Sequence, residues 1–290
     1  MSDHCPADLA TFWQNTLERT RAQPLEVQIE KMPLRLPYHV YRLTYRSMGG
    51  IPVRAYLSLP IQVASESRPP RRLPAIVAPP GYGGWEFSEQ LNECQRGYAV
   101  LQVYPRSQGE SGEVWRIEGP LAGHWIQIGK ERPEGFYYQG ALMDVIRGVD
   151  YLRGRADIDP ERIGLMGTSQ AGMLVLGAAA LDPSVRAVTA HVSALCALRQ
   201  NPGHTTFDLG CDATLLDTWD YFDPLHLASR IRVPTLMSSG GKDTICPADT
   251  IRAVFDRLSG IKALIHYPDL IHTACNDFYA QRWQWMDRFL

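Results

Sequence analysis

Apolar positions along the chain fall into alternating short runs and helical stripes. Leu9, Phe12, Trp13 and Leu17 recur at helical spacing and predict an amphipathic helix over 7–21, whose default role is packing on its own domain. Pro24, Pro33 and Pro37 break the next stretch into an extended connection. Two strand-like runs, 39–46 and 53–59, flank Ser47-Met48-Gly49-Gly50 and predict an antiparallel hairpin. A polar stretch at 65–72 reads as a solvated loop. Beyond it, apolar runs at 75–78, 98–103, 163–166, 185–192, 231–238 and 263–267 predict buried strands. Between them, helical patterns fall at 87–95, 136–155, 171–180, after Pro247 and over 276–290. Strands alternating with helices from 75 to 290 are the pattern of a mostly parallel sheet covered on both faces, an α/β fold. Two stretches break the rhythm, an insertion at 104–135 rich in Gly, Pro, Trp and charge, and 196–221, read as a loop or short helices.

Composition narrows the class. The 290 residues suffice for one sizeable domain, 1–290, and 45% hydrophobic with 21% charged residues is ordinary for a globular protein. A net charge of −2 gives no basic footprint for nucleic acid. The first twenty residues lack a basic segment followed by an apolar core, and no run approaches the ~18 apolar residues of a membrane span. Six scattered cysteines without a C-x-x-C pair indicate neither a zinc site nor a disulfide framework, so a cytoplasmic protein is expected.

Candidate chemistry centres on IGLMGTSQAGML, 163–174. Ser169 stands between an apolar strand and a small-residue helix, with Gly167 two before it and Ala171 and Gly172 after it. That is close to G-x-S-x-G, a sharp strand-to-helix turn presenting a serine hydroxyl. A buried strand meeting a helix through a small-residue turn has the same local pattern. Two further groups separate the readings. Asp243 and His272 each come after a later apolar strand, and in an open α/β sheet the chemistry lies at the carboxyl ends of the strands. Asp249 and Asp256 fall in the next helix, Asp269 comes after the last strand, and His266 lies within it. The chain order Ser169, Asp243, His272 is that of the α/β-hydrolase fold. In that chemistry His272 takes the serine proton, Asp243 fixes its tautomer, and the backbone N–H groups of Tyr82 and Gln170 hold the oxyanion. Tyr82 lies in Pro79-Pro80-Gly81-Tyr82-Gly83-Gly84, a glycine-rich loop without the lysine of a phosphate-binding loop. No metal or organic cofactor is required.

Several stretches together resemble the acetyl xylan esterase and cephalosporin C deacetylase family, carbohydrate esterase family seven. They are FWQNTLERT near the start, GYGG at 81–84, RSQG at 106–109, FYYQGALMDVIRGVDYL at 136–152, DPERIGLMGTSQAG, ALDPSVRAV, YFDPLHLASRI, and the run from Asp243 to Pro247. The resemblance implies removal of acetyl and other small acyl groups from sugars and cephalosporin-type esters. It carries the nucleophile, acid and base onto Ser169, Asp243 and His272 and the oxyanion donors onto Tyr82 and Gln170. It also implies support from Arg106 and Gln108, and a homo-hexamer. Ala171 stands where the family has Gly, Ser107 where it has Gly, Thr273 where it has Glu, and Pro80 where it has His. Other readings on the same fold are a peptidase, a lactonase or a deacylase of a specialised metabolite. A reading of another class is a non-catalytic scaffold.

Overall fold

A computed structural model of the chain describes residues 4–33, 37–61, 71–84, 86–201 and 211–290. The expected loop at 65–72 lies mostly outside the described residues, as does 202–210 within the expected 196–221 segment.

A nine-stranded sheet runs through the molecule in the order β1-β2-β3-β5-β4-β6-β7-β8-β9. Its parallel part is β4 (Leu73–Val77), β5 (Ala99–Val103), β6 (Ile158–Thr168), β7 (Ala187–His191), β8 (Thr235–Gly240) and β9 (Lys262–Tyr267). The expected hairpin is β2 (Tyr38–Arg46) and β3 (Pro52–Pro60), paired antiparallel through a tight turn in which Gly49 and Gly50 have φ of 75° and 71°. Positive φ at two successive positions is why glycines stand there.

The helices are α1 (Leu9–Arg21), α2 (Leu91–Gln95), α3 (Tyr137–Arg153), α4 (Gln170–Leu181), α5 (Ala213–Trp219), α6 (Pro224–Leu227), α7 (Ala248–Arg257) and α8 (Asn276–Phe289). Helix α1 packs on its own domain, as its stripe predicts. Trp13 is fully buried, its indole N–H donates to the Tyr221 carbonyl at 2.9 Å, and its ring meets Phe222 edge-on at 5.3 Å. Arg21 then ties the end of α1 to Asp150 and Asp182. Helix α4 is apolar all round and almost wholly buried, as befits the helix under the sheet's centre.

Three of the differences from expectation have a visible cause. Strand β1 (Gln28–Lys31) adds an edge that is exposed at every position, so it carries no hydropathy signal; its Glu30 pairs with Arg42. Helix α2 begins at Leu91 rather than 87. Ahead of it, Phe87 packs on Tyr56 at 4.9 Å and the Ser88 hydroxyl accepts from Gln102, which holds 87–90 out of the helix. Strand β8 begins at Thr235 rather than 231, because Pro234 has no N–H to give the ladder. Among the described residues no helix is long and apolar enough to cross a membrane.

Candidate active site

Ser169 sits between β6 and α4 with φ 60° and ψ −124°, a left-handed conformation that is strained for a residue with a side chain. The turn is held from three sides. The Ser169 N–H donates to the His191 carbonyl at 2.9 Å, and its carbonyl accepts from Met173 at 3.3 Å and Ala194 at 3.0 Å. The small residues divide the steric work. A Cβ on Gly167 would lie 2.2 Å from the Ala171 carbonyl oxygen, and one on Gly172 would lie 2.4 Å from the Ser193 hydroxyl. Ala171 presses on Gly167 through its backbone, and its own methyl is accommodated in the core. The second position that must lack a side chain is therefore Gly172, not Ala171.

Asp243 and His272 close on Ser169 from the ends of β8 and β9. Their loops meet because a Cβ on Gly240 would strike the Leu270 carbonyl at 2.4 Å, and one on Gly241 the Pro268 carbonyl at 2.3 Å. Only glycines allow that approach. His272 Nδ1 lies 2.9 Å from Asp243 Oδ2, and Nε2 lies 3.0 Å from Ser169 Oγ. A carboxylate facing Nδ1 fixes the proton there and leaves Nε2 as the acceptor for the serine hydroxyl. The Asp243 side chain is fully buried, whereas His272 keeps 21% of its side-chain surface. Burial alone raises the Asp243 pKa. The bond to His272 and the backbone N–H groups of Cys246 and Ile245 outweigh it, and the net shift is downward. The competing residues stay outside this cluster: His266 bonds Ser239, and Asp269 pairs with Lys242 at the surface.

Behind the serine, backbone and amide groups form one frame. Gly83 N–H donates to Gln108 Oε1 at 2.9 Å, and Gly109 N–H donates back to the Gly83 carbonyl at 2.8 Å. A Cβ on Gly84 would lie 2.8 Å from the Gly109 nitrogen, so loop 81–84 is laced tightly to 107–109. Gln170 Nε2 donates to Gln108 Oε1 at 3.0 Å, and the Tyr138 hydroxyl donates to Gln170 Oε1 at 2.9 Å. Gln108 Nε2 donates to the Tyr137 hydroxyl at 2.7 Å, which donates in turn to the Arg106 carbonyl. Gln108 thus bridges the Tyr82 loop and the first residue of α4. As that first residue, Gln170 has a backbone N–H with no acceptor inside its helix. Arg106 acts at one remove: its guanidinium makes two bonds to the buried Asp144 and lies across Gly140.

Ala171 aside, one departure from the family pattern, Ser107, has a local side-chain explanation. Ser107 keeps φ at 66°, and its hydroxyl accepts the Ile117 N–H at 2.8 Å. Thr273 contributes its carbonyl to His191 Nε2 at 3.0 Å. A carbonyl only accepts, so that nitrogen carries the proton and Nδ1 accepts from the Ser238 hydroxyl at 2.5 Å. Burial holds the His191 pKa down to about 4, so the ring is neutral. Nothing in the structure explains Pro80.

Two functional neighbours are missed by the sequence pattern. His191, at the end of β7, anchors both the serine turn and the residue after His272. Cys246 is 1% exposed and close to Ser169, and burial pushes its thiol pKa well up. Asp243, Cys246 and His272 each offer one metal-ligand atom, all within 4.8 Å of one another. The chemistry of these donors does not favour a cation. The thiol stays protonated, and both ring nitrogens of His272 are engaged. The signal for Cys246 was its place three residues after Asp243; His191 had none, since its contacts come from strand register. In the insertion, Trp125 is buried and stacks on Tyr137 at 5.1 Å, and the Tyr82 hydroxyl donates to the Gly123 carbonyl at 2.6 Å.

The chain as a whole is similar to known proteins. The acetyl xylan esterase (AXE1) family model matches residues 1–289. An acetyl esterase of Xylanibacter ruminicola, Axe7A, is 22% identical over 98% of this chain and 67% of its own length. The structure of an acetyl xylan esterase from Paenibacillus sp. R4 superposes with a TM-score of 0.86 at 25% identity, covering 98% of this chain and 95% of that one. Acetyl xylan esterase 1 from Thermoanaerobacterium sp. JW/SL YS485 superposes at 0.87 with 23% identity, over 98% and 94%. With a match running from the first residue to the last but one, the chain belongs to the acetyl xylan esterase family.

Proposed function

We propose that this protein is a serine carboxylesterase that removes acetyl and other small acyl groups from acetylated sugars, xylo-oligosaccharides among them, and from cephalosporin-type esters. The observation that carries the reading is the unbroken chain Asp243–His272–Ser169, at 2.9 and 3.0 Å, on a strained serine beside a glycine-rich loop. His272 Nε2 takes the Ser169 proton as Oγ bonds to the ester carbonyl carbon, and the tetrahedral oxyanion accepts from the Tyr82 and Gln170 backbone N–H groups. The proton then passes from His272 to the departing alcohol oxygen as the ester C–O bond breaks. Water, deprotonated by His272, repeats the attack on the acyl-enzyme and releases the carboxylic acid and free serine. Asp243 stays ionised throughout and stabilises the imidazolium. Arg106 and Gln108 hold the frame.

Hydrolysis of p-nitrophenyl acetate, butyrate and octanoate tests this, with acetylated xylo-oligosaccharides and cephalosporin C as natural-type substrates. Acetate is expected to turn over fastest, Ser169→Ala to lose about 10³-fold or more of kcat, and a fluorophosphonate to label Ser169. Full activity in Ser169→Ala would overturn the assignment. A homo-hexameric assembly and a cytoplasmic location belong to the same proposal. The first is tested by light scattering, and the second is supported by six cysteines that are all free thiols.

A further inference from the structure

Beside the loop that carries Tyr82, between α2 and α8, lies a cavity of about 220 Å³. Met166 lies in its wall, with Gly81 and Thr168 at the strand ends and Gln90, Glu93 and Arg282 on the helical side. Ser169, Asp243 and His272 do not line it. The space is several times the roughly 30 Å³ that one water takes in the liquid.

Arg282 is the group in this wall without a counterpart. Among the described residues its guanidinium makes no hydrogen bond and no ion pair, and its Nε is buried. Its neighbours are ring faces, Tyr279 at 5.0 Å and Phe278 at 5.9 Å. Burial lowers its pKa, yet an arginine remains charged at neutral pH. Among the described residues the more deeply buried guanidinium groups are matched, Arg106 by Asp144 and Arg147 by Asp150. Glu93 faces the same space but is pinned elsewhere: the Tyr279 hydroxyl donates to its Oε1 at 2.7 Å. A half-buried cation that makes no ion pair, with Glu93 acting on it only at a distance, carries a desolvation cost, and an anion bound beside it removes much of that cost. The planar fork of Arg matches the oxygens of a carboxylate or a phosphate, and the flanking rings keep water from its faces.

We propose that this cavity is a binding site for a small oxyanion, a carboxylate or phosphate, anchored by Arg282 and separate from the catalytic pocket. Glu93 opposes the ligand's charge and sets its affinity. Gly81 and Thr168 each lie one residue before the groups proposed to act on the ester, Tyr82 and Ser169, so an occupant sits directly against the base of the catalytic frame.

The test is calorimetric titration with sodium acetate and, separately, sodium phosphate, at constant ionic strength with sodium chloride as the balancing salt. The protein is used after reaction with a fluorophosphonate, so that acetate cannot report on the catalytic pocket. Labelling itself reports on Ser169 independently. Saturable binding of at least one anion at a single site is expected. Arg282→Gln should weaken it about tenfold or more, the effect of losing hydrogen bonds to a charged group. Glu93→Gln, which keeps the acceptor for Tyr279, should tighten it several-fold. Preference for acetate identifies a carboxylate such as the reaction's own product as the ligand, and preference for phosphate identifies an inorganic anion. In chloride alone, Arg282→Gln should melt no lower than the parent protein. Should that variant fail to fold, Arg282→Lys, which keeps the charge and loses the fork, replaces it with the same expected direction. Absence of saturable binding, equal affinity in the Arg282 variant, or no gain in Glu93→Gln would overturn the proposal.

Discussion

Gln108 is the residue on which both proposed oxyanion donors depend. It holds the Gly83 N–H on one side and the Gln170 amide on the other, so one side chain spaces the two backbones. Contacts to an oxyanion exist mainly in the transition state, so loosening their spacing should lower kcat and leave KM nearly unchanged. Gln108→Leu is therefore expected to lose roughly one to two decades of kcat on p-nitrophenyl acetate, less than the ~10²–10³ from deleting a donor outright. A purely structural Gln108 would lower the melting temperature without that kcat-specific loss. The serine turn allows a sharper contrast. Gly167→Ala forces a methyl to within 2.2 Å of a backbone oxygen and should abolish labelling of Ser169 by a fluorophosphonate. Ala171→Gly, which restores the family residue, should keep full activity and cost only about 0.5–1 kcal/mol in helix stability, read by urea unfolding.

At the level of elements, α3 supports the site through one buried charge. Asp144 is completely buried and accepts from the Arg106 backbone N–H, Nε and Nη2, which fixes the chain leaving β5 against the helix. Asp144→Ala leaves the guanidinium buried and unpaired and should cost about 3–5 kcal/mol in denaturant unfolding. Replacing both partners, Arg106→Met with Asp144→Leu, should recover part of that loss but not all, since the Arg106 N–H still lacks its acceptor. Elements with a strong period were legible in sequence: α1 by its stripe, the hairpin by its turn, and the parallel strands by their apolar runs. Strand β1 was not, because an edge strand exposed on both faces has no alternation to read. The candidate triad of Ser169, Asp243 and His272 was legible because each comes after the end of a strand, in the chain order of the α/β-hydrolase fold. Gln108 entered only through the family resemblance. An amide network is a product of three loops meeting, which no local spacing records.

Across the molecule, the neighbouring ends of β6, β7, β8 and β9 converge on the site, and His191 is where acid should first undo that convergence. Its ring bonds Ser238 of β8 and the Thr273 carbonyl, and stacks on Phe278 of α8 at 4.7 Å. Arg282 and His272 add positive charge nearby and Asp243 adds negative charge, but burial is the dominant cause of its low pKa. An unfolded chain takes up the proton near 6.5, whereas the folded one resists until about 4. In that window the unfolded state binds more protons, so stability rises with pH and is lost as pH falls. The difference corresponds to about 3 kcal/mol at its full extent. Asp243, whose pKa is lowered, acts with the same sign further down: its contribution is complete above the ordinary carboxylate range and disappears as pH falls through its folded value. Urea unfolding midpoints should therefore fall steeply between pH 6.5 and 4. His191→Asn should flatten that slope whatever it does to absolute stability, because an amide takes up no proton in this range. A slope unchanged in the variant would assign the acid sensitivity to other groups and leave His191 as a packing residue.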